Sequence, residues 1–199
     1  MLRNLLLRLA RPWSVWPRDD RAKGTIGRAD EPLPGRVGAV LVRPAAKGDY
    51  EQICELYEEL DSFHRQARPD LFNRPSAPPR ARATILALIA SDATIILVAE
   101  DEASRRLLGF CLLIIRDLPA STVCLARRFV ELDKLAVRAK ARRSGVGRAL
   151  VEAAFAWAQA RGFACVEVAV HEFNAGAIAF YESMGFETFI RRMMRRDPL

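Results

Sequence analysis

From residue 39 onward, the spacing of apolar positions switches between the two-residue period of strands and the longer period of helices, and each switch marks an expected element. Ala-Val-Leu-Val-Arg at 39–43 reads as a short strand. Asp49, followed three residues later by Gln52, predicts a capping box at the start of a first helix. On that helix Ile53, Leu56, Tyr57, Leu60 and Phe63 share a face, while Glu51, Glu55, Glu58, Glu59 and Asp61 fill much of the remainder. Prolines at 69, 75, 78 and 79 make 68–79 a loop, and a second helix is expected over 80–90. Residues 94–100 and 107–116 read as a hairpin, and 129–137 as a further strand. Val146, Leu150, Ala154, Trp157 and Ala158 then define a helix stopped by Gly162. A strand at 166–170, a helix at 175–184 closed by Gly185, and a last strand at 186–194 complete the pattern.

The first 38 residues have no sustained apolar period and are read as an extension outside the fold, leaving one domain over 39–199. The apolar run Leu5 to Leu7 is far shorter than a signal-peptide core or a membrane span, so neither secretion nor spanning is expected. Arg3, Arg8 and Arg11 precede any acidic residue, and Trp13 and Trp16 follow. That leaves a targeting peptide, a short interfacial helix and a disordered leader as readings. The composition, 51% hydrophobic and 28% charged over 199 residues, supplies a core and excludes a disordered chain. The net charge is +7, but the extension holds eight Lys/Arg against four Asp/Glu, so the rest is only mildly basic. No aromatic-interleaved basic stripe is present, and nucleic acid is not expected as a partner. Cys54, Cys111, Cys124 and Cys165 form no C-x-x-C pair, and with only His64 and His171 no metal site is expected; a reducing, cytoplasmic setting fits.

The chemistry concentrates after the 129–137 strand, in Arg142-Arg143-Ser144-Gly145-Val146-Gly147-Arg148. A strand feeding a glycine-bearing turn that opens a helix is an anion site, because unpaired N–H groups and the helix dipole converge where glycine lets a phosphate approach. The turn lacks the Gly-Lys-Ser/Thr ending of a nucleotide loop, and Leu150 stands where a dinucleotide fingerprint has its third glycine. With Asn174-Ala175-Gly176-Ala177-Ile178-Ala179-Phe180-Tyr181-Glu182-Ser183-Met184-Gly185-Phe186 following in order, the chain resembles the GNAT superfamily of acetyl-CoA-dependent N-acetyltransferases. The likeness spans about 40–194 and implies an α/β (α+β) fold. Its sheet would be central, mixed, mostly antiparallel and twisted, flanked by helices, with two strands splayed to hold acetyl-CoA.

The resemblance implies further that the turn, from Arg142, Arg143, Ser144, Gly145, Val146 and Gly147 to Arg148, holds the pyrophosphate of coenzyme A. A backbone N–H near Leu135 to Val137 would polarise the thioester carbonyl. Asn174 would bond the pantetheine arm, and Tyr181 would protonate the leaving thiolate. An alkyl amine is mostly protonated at neutral pH and needs a base. Glu131 and Asp133 are the candidates, two apart and on one face of a regular strand. His64 and Asp70 fall in the segment that in this superfamily helps form the acceptor pocket; the plainer reading is a helix-end histidine and a turn aspartate. Cys111 and Cys165, in apolar strands, are expected to be packed thiols. The acidic first helix and Asp70 favour a small cationic amine as acceptor. Protein lysine or N-terminal amines, and a non-catalytic acyl-CoA-binding module, are the alternatives. Homodimers are common in the superfamily, and nothing here fixes an interface.

Overall fold

A computed structural model describes residues 36–73 and 80–195. Most of the expected N-terminal extension, 1–35, and loop residues 74–79 lie outside the described residues. The elements are β1 (Arg36–Val37), β2 (Val40–Pro44), α1 (Tyr50–Ala67), α2 (Arg82–Ala90), β3 (Thr94–Asp101), β4 (Leu107–Leu118), β5 (Arg127–Val137), α3 (Val146–Ala160), β6 (Val166–Val168) and α4 (Ala175–Ser183). Because β1 pairs with β2, the folded sheet begins inside the segment read as an extension. The chain divides into two compact units, one ending at Val168 and one beginning at Ala169.

Among the described residues of the first unit, six strands lie in sequence order, antiparallel except for the β5–β6 pair. That pair is parallel because α3 crosses between its strands. Alternation along β4 feeds two cores. Phe110 and Leu112 join Ile53, Leu56 and Tyr57 of α1, Ile85 of α2, Ile96 and Val98 of β3 and Ala136 of β5. Cys111 faces the other side, where its thiol donates to the carbonyl of Leu150 at 3.8 Å. There α3 buries Val146, Ala149, Leu150, Ala153, Ala154, Trp157 and Ala158, the recurrence expected of a helix laid on a sheet.

The first strands are tied by charge. Arg43 donates to Asp49 at 2.7 and 2.9 Å and to Glu100 at 2.7 Å, and Arg105 adds a second cation at Glu100. The expected capping box at Asp49 is not formed. Its carboxylate accepts instead from Arg43 and from the Ala46 N–H at 2.7 Å. Gln52 accepts from the Leu107 N–H at 2.9 Å. The spacing suits a cap, but a nearby half-buried guanidinium competes better for the carboxylate than a helix amide does.

Two strand expectations need correction. The strand expected over 166–170 stops at Val168, where its pairing with β5 ends at Leu132. Residues 186–194 form no strand, and Phe189, Ile190, Met193 and Met194 are exposed. Their β-propensity is real but needs a ladder partner. Described by itself, the second unit holds α4 and no strand among its described residues.

Replacing Arg43 removes the ion-pair partner of Asp49 and leaves Glu100, 1% exposed, with Arg105 alone. Arg43→Met is expected to lower unfolding stability by about 3 kcal/mol, measured by denaturant titration. Burial opposes ionisation of Asp49, but the bonds from Arg43 and the Ala46 N–H outweigh it and hold its carboxyl below the usual range. Its contribution is therefore fully present above the ordinary aspartate pKa and is lost as pH falls through the lower folded value. Arg43→Met should weaken this acid-side loss, read from stability against pH.

Candidate active site

The anion turn is built by backbone conformation. After β5 a short 3-10 turn (Ala139–Ala141) leads to Arg142, which is extended (φ −68°, ψ 152°). Arg143 and Gly145 then take left-handed conformations, with φ +63° and +87°. Gly145 is the N-cap of α3 and offers no side chain to cap it. The first helical bond after the cap runs from the Ala149 N–H to the Gly145 carbonyl at 3.0 Å. The amides of Val146, Gly147 and Arg148 thus precede it and lie at the positive end of the helix dipole.

The side chains around these amides are mostly turned elsewhere. Ser144 Oγ donates to the Ala141 carbonyl at 2.7 Å, and Arg142 Nε to the Val137 carbonyl at 3.2 Å. Both therefore brace the turn. Val146 is buried in the core, so only its backbone is available. Arg143 is exposed, and Arg148 lies 4.0 Å from Glu152.

The strand leading to the turn is not regular. On β4, Leu112 faces Lys134 and Leu113 faces Leu132, which leaves Asp133 as an extra residue in a β-bulge. The β5–β6 ladder stops at Leu132 as well. Residues 133–137, including Leu135 and Val137, therefore continue with no strand on their outer edge among the described residues. One extra residue opens a backbone edge that leads into the anion turn.

The bulge also sets where the carboxylates lie. Glu131 is opposite Ile114, which packs on the α1-side core. Burial pushes the Tyr57 phenol of that core above its ordinary pKa, and the negative charge of Asp133 is among the causes that raise it. Glu131 thus lies on the α1 side, whereas Asp133, the extra residue of the bulge, has no partner on β4 to share a face with it. Each has a cation beside it: Arg116 pairs with Glu131, and Lys134 Nζ lies 2.9 Å from Asp133.

Around the end of α1, His64 Nδ1 donates to the Leu60 carbonyl at 2.8 Å, with Phe63 and Phe72 beside its ring. Arg68 grips Asp70 through two bonds of 2.8 Å. A nearby open hollow of about 270 Å³ is lined by Ser62, Arg65, Gln66, Pro69 and Phe72. The acidic face of α1 is also matched by cations. Glu51 pairs with Arg82, Glu55 and Glu59 with Arg138, Glu58 with Arg65, and Asp61 with Arg80. The helix pattern alone presents this face as an attractor for a cationic acceptor and does not show its arginine partners. Arg138 was the detectable one: Glu55 and Glu59, four apart on a helix, form a natural clamp for a guanidinium.

In the second unit, Asn174 is the N-cap of α4, its Oδ1 accepting from the Ala177 N–H at 3.1 Å. Tyr181 is buried, with Phe180 and Phe186 against its ring. Of the two cysteines expected to be packed, Cys111 is buried but Cys165 is exposed, because it precedes the short β6 instead of lying within it.

Residues 53–186 match the Acetyltransferase (GNAT) family. Over 93 residues the chain is 36% identical to N-acetyltransferase family 8 member 3 of Rattus norvegicus, covering 43% of this chain and 40% of that protein. The chain thus spans well under half the length of that relative. A tetramutant of the BH1408 protein from Bacillus halodurans superposes with a TM-score of 0.72 at 24% identity, covering 80% of this chain and 99% of that one. The aminoglycoside N-acetyltransferase AAC(6')-Iy, in complex with CoA, gives 0.61 at 19% identity, covering 84% and 100%. The chain belongs to the acetyltransferase (GNAT) family, and its mixed sheet has that family's fold.

Burial pushes the Cys111 thiol up to about 12, so it stays protonated across the usable pH range. Native alkylation at pH 8 should label exposed Cys124 and Cys165 and spare Cys111, as read by peptide mass spectrometry; full labelling of Cys111 without unfolding would contradict its placement.

Proposed function

We propose that the protein transfers an acetyl group from acetyl-CoA directly to a primary amine. One observation carries the reading: uncapped helix amides, an open strand edge and two carboxylates occur on a single strand and the turn that follows it. These features fit the donor molecule. Amides preceded by glycine suit a pyrophosphate, and an unpaired strand edge suits an arm that carries its own amides. Acetyl-CoA supplies the activated thioester.

In this reading the amides of 143–148 hold the pyrophosphate. A backbone N–H near Leu135 to Val137 is directed at the thioester carbonyl, where negative charge develops during attack. Asn174 uses Oδ1 for its helix cap, so its side-chain amide is the group assigned to the pantetheine arm. Tyr181 provides the proton for the departing thiolate, as the family motif implies. Glu131 or Asp133 takes the proton from the ammonium form of the acceptor, directly or through water.

A small cationic amine is the acceptor we favour. With the α1 carboxylates and Asp70 held by arginines, Glu131 and Asp133 become the groups that draw it, and their own cations temper the field. Aminoglycoside acetyltransferases among the structures of the same fold are in keeping with such an acceptor.

Thiol release from acetyl-CoA should be stimulated by a pool of small polyamines and aminoglycosides more than by lysine or free-N-terminus peptides. The opposite order would replace the acceptor class. A melting shift with acetyl-CoA but no release from either pool would favour the non-catalytic module. Tyr181→Phe should lower kcat by about a hundredfold with acetyl-CoA affinity nearly unchanged. Gly147→Glu should abolish acetyl-CoA binding in calorimetry by bringing a negative side chain to the first helical turn.

A further inference from the structure

We infer that Glu59 is a positioning residue for the anion turn: from α1 it fixes the segment that aims the amides of 143–148, without touching the molecule they hold. This rests on the acetyl-CoA reading proposed above. Glu59 Oε2 accepts from the backbone N–H of Ala139 at 3.1 Å, and its Oε1 from Arg138 Nη1 at 3.3 Å. Ala139 opens the 3-10 turn (Ala139–Ala141), so its N–H is one that the turn itself cannot satisfy. Glu59 supplies the missing acceptor.

Arg138 holds Glu59 in place. Its side chain is only 12% exposed. Its Nε donates to the Leu107 carbonyl at 2.7 Å and its Nη2 to Glu55 at 2.6 Å, while its backbone N–H donates to the Leu108 carbonyl at 2.8 Å. The residue before the turn is thus fastened to β4 and α1 together. From there the bonds run on: the Ala141 N–H donates to the Arg138 carbonyl at 2.8 Å, and Ser144 Oγ to the Ala141 carbonyl at 2.7 Å. A displacement at Glu59 is passed along this series to the start of α3. The Arg138 guanidinium offsets the charge of Glu59, which therefore does not act as a repelling anion beside the pyrophosphate.

Three variants test the inference: Glu59→Ala removes both bonds, Glu59→Gln keeps an oxygen for the Ala139 amide, and Glu51→Ala removes an exposed acid of the same helix that pairs with Arg82. Glu59 is 36% exposed, so its replacement leaves the core intact. Glu59→Ala is expected to weaken acetyl-CoA binding, and to raise its KM, by about tenfold. kcat and the KM of the amine should stay within about twofold. Glu59→Gln should recover most of the affinity, and Glu51→Ala should match the parent protein. Backbone hydrogen exchange of the ligand-free protein gives a second readout, in which Glu59→Ala should speed exchange within 139–148 and nowhere else.

Glu59→Gln binding as weakly as Glu59→Ala would overturn the amide-holding role. So would unchanged affinity and exchange in Glu59→Ala, or exchange faster throughout the protein. If the parent protein fails to bind acetyl-CoA, the functional reading falls, while exchange confined to 139–148 still supports Glu59 as the anchor and unchanged exchange removes it.

Discussion

The single extra residue in β5 is the constraint from which the rest of the site follows. By inserting Asp133 between two pairs of the β4 ladder, the chain shifts the phase of its side chains along β5. Leu132 and Leu135 can then both face α3, while Glu131 and Ala136 both face α1. A bulge also sharpens the local twist. The β5–β6 ladder ends there, and among the described residues no strand pairs with the outer edge of the rest of β5 up to the turn. Backbone geometry alone therefore produces an unpaired strand edge followed directly by unpaired helix amides. Few side chains are needed to build the site, which suits a family whose members share a fold at low identity.

Around this backbone site the charges are arranged in pairs. The five carboxylates of α1 that the sequence displays as an acidic face each meet an arginine. Most of these pairs are solvent-exposed and contribute little stability one by one. Together they cancel much of the field that an unmatched acidic helix would present to a cation. The pairs at Arg138 do more: they join α1 to the end of β5 and so link the two sides of the α1-side core to the turn. The cluster of half-buried Arg43 with buried Asp49 and Glu100 does the comparable work at the opposite end of the sheet, where removing Arg43 leaves Asp49 without its ion-pair partner.

The periodic elements and the anion turn were legible in the sequence because both are local. The face of α3, the left-handed Gly145 that opens it and the glycines at 162 and 185 that follow α3 and α4 each have a signature within a few residues. Pairing over long sequence distances left no such mark. Nothing in the composition of 129–137 distinguishes a bulge at Asp133 from a regular strand, and the register with β4 alone reveals it. The same holds for the arginines that meet α1 from 82 and 138, and for Asp49, whose capping pattern is genuine but whose carboxylate is taken by Arg43. Residues 186–194 show the converse, a local strand preference with no ladder partner to realise it.

The central claim is that backbone amides of the open β5 edge and the following turn receive coenzyme A. A titration of the isotope-labelled protein with coenzyme A, followed by backbone amide resonances, tests it most directly. The account predicts the largest, saturating shifts at the amides of 143–148 and along 133–137. Saturable binding with its largest shifts elsewhere, or no saturable shift at these amides, would contradict it.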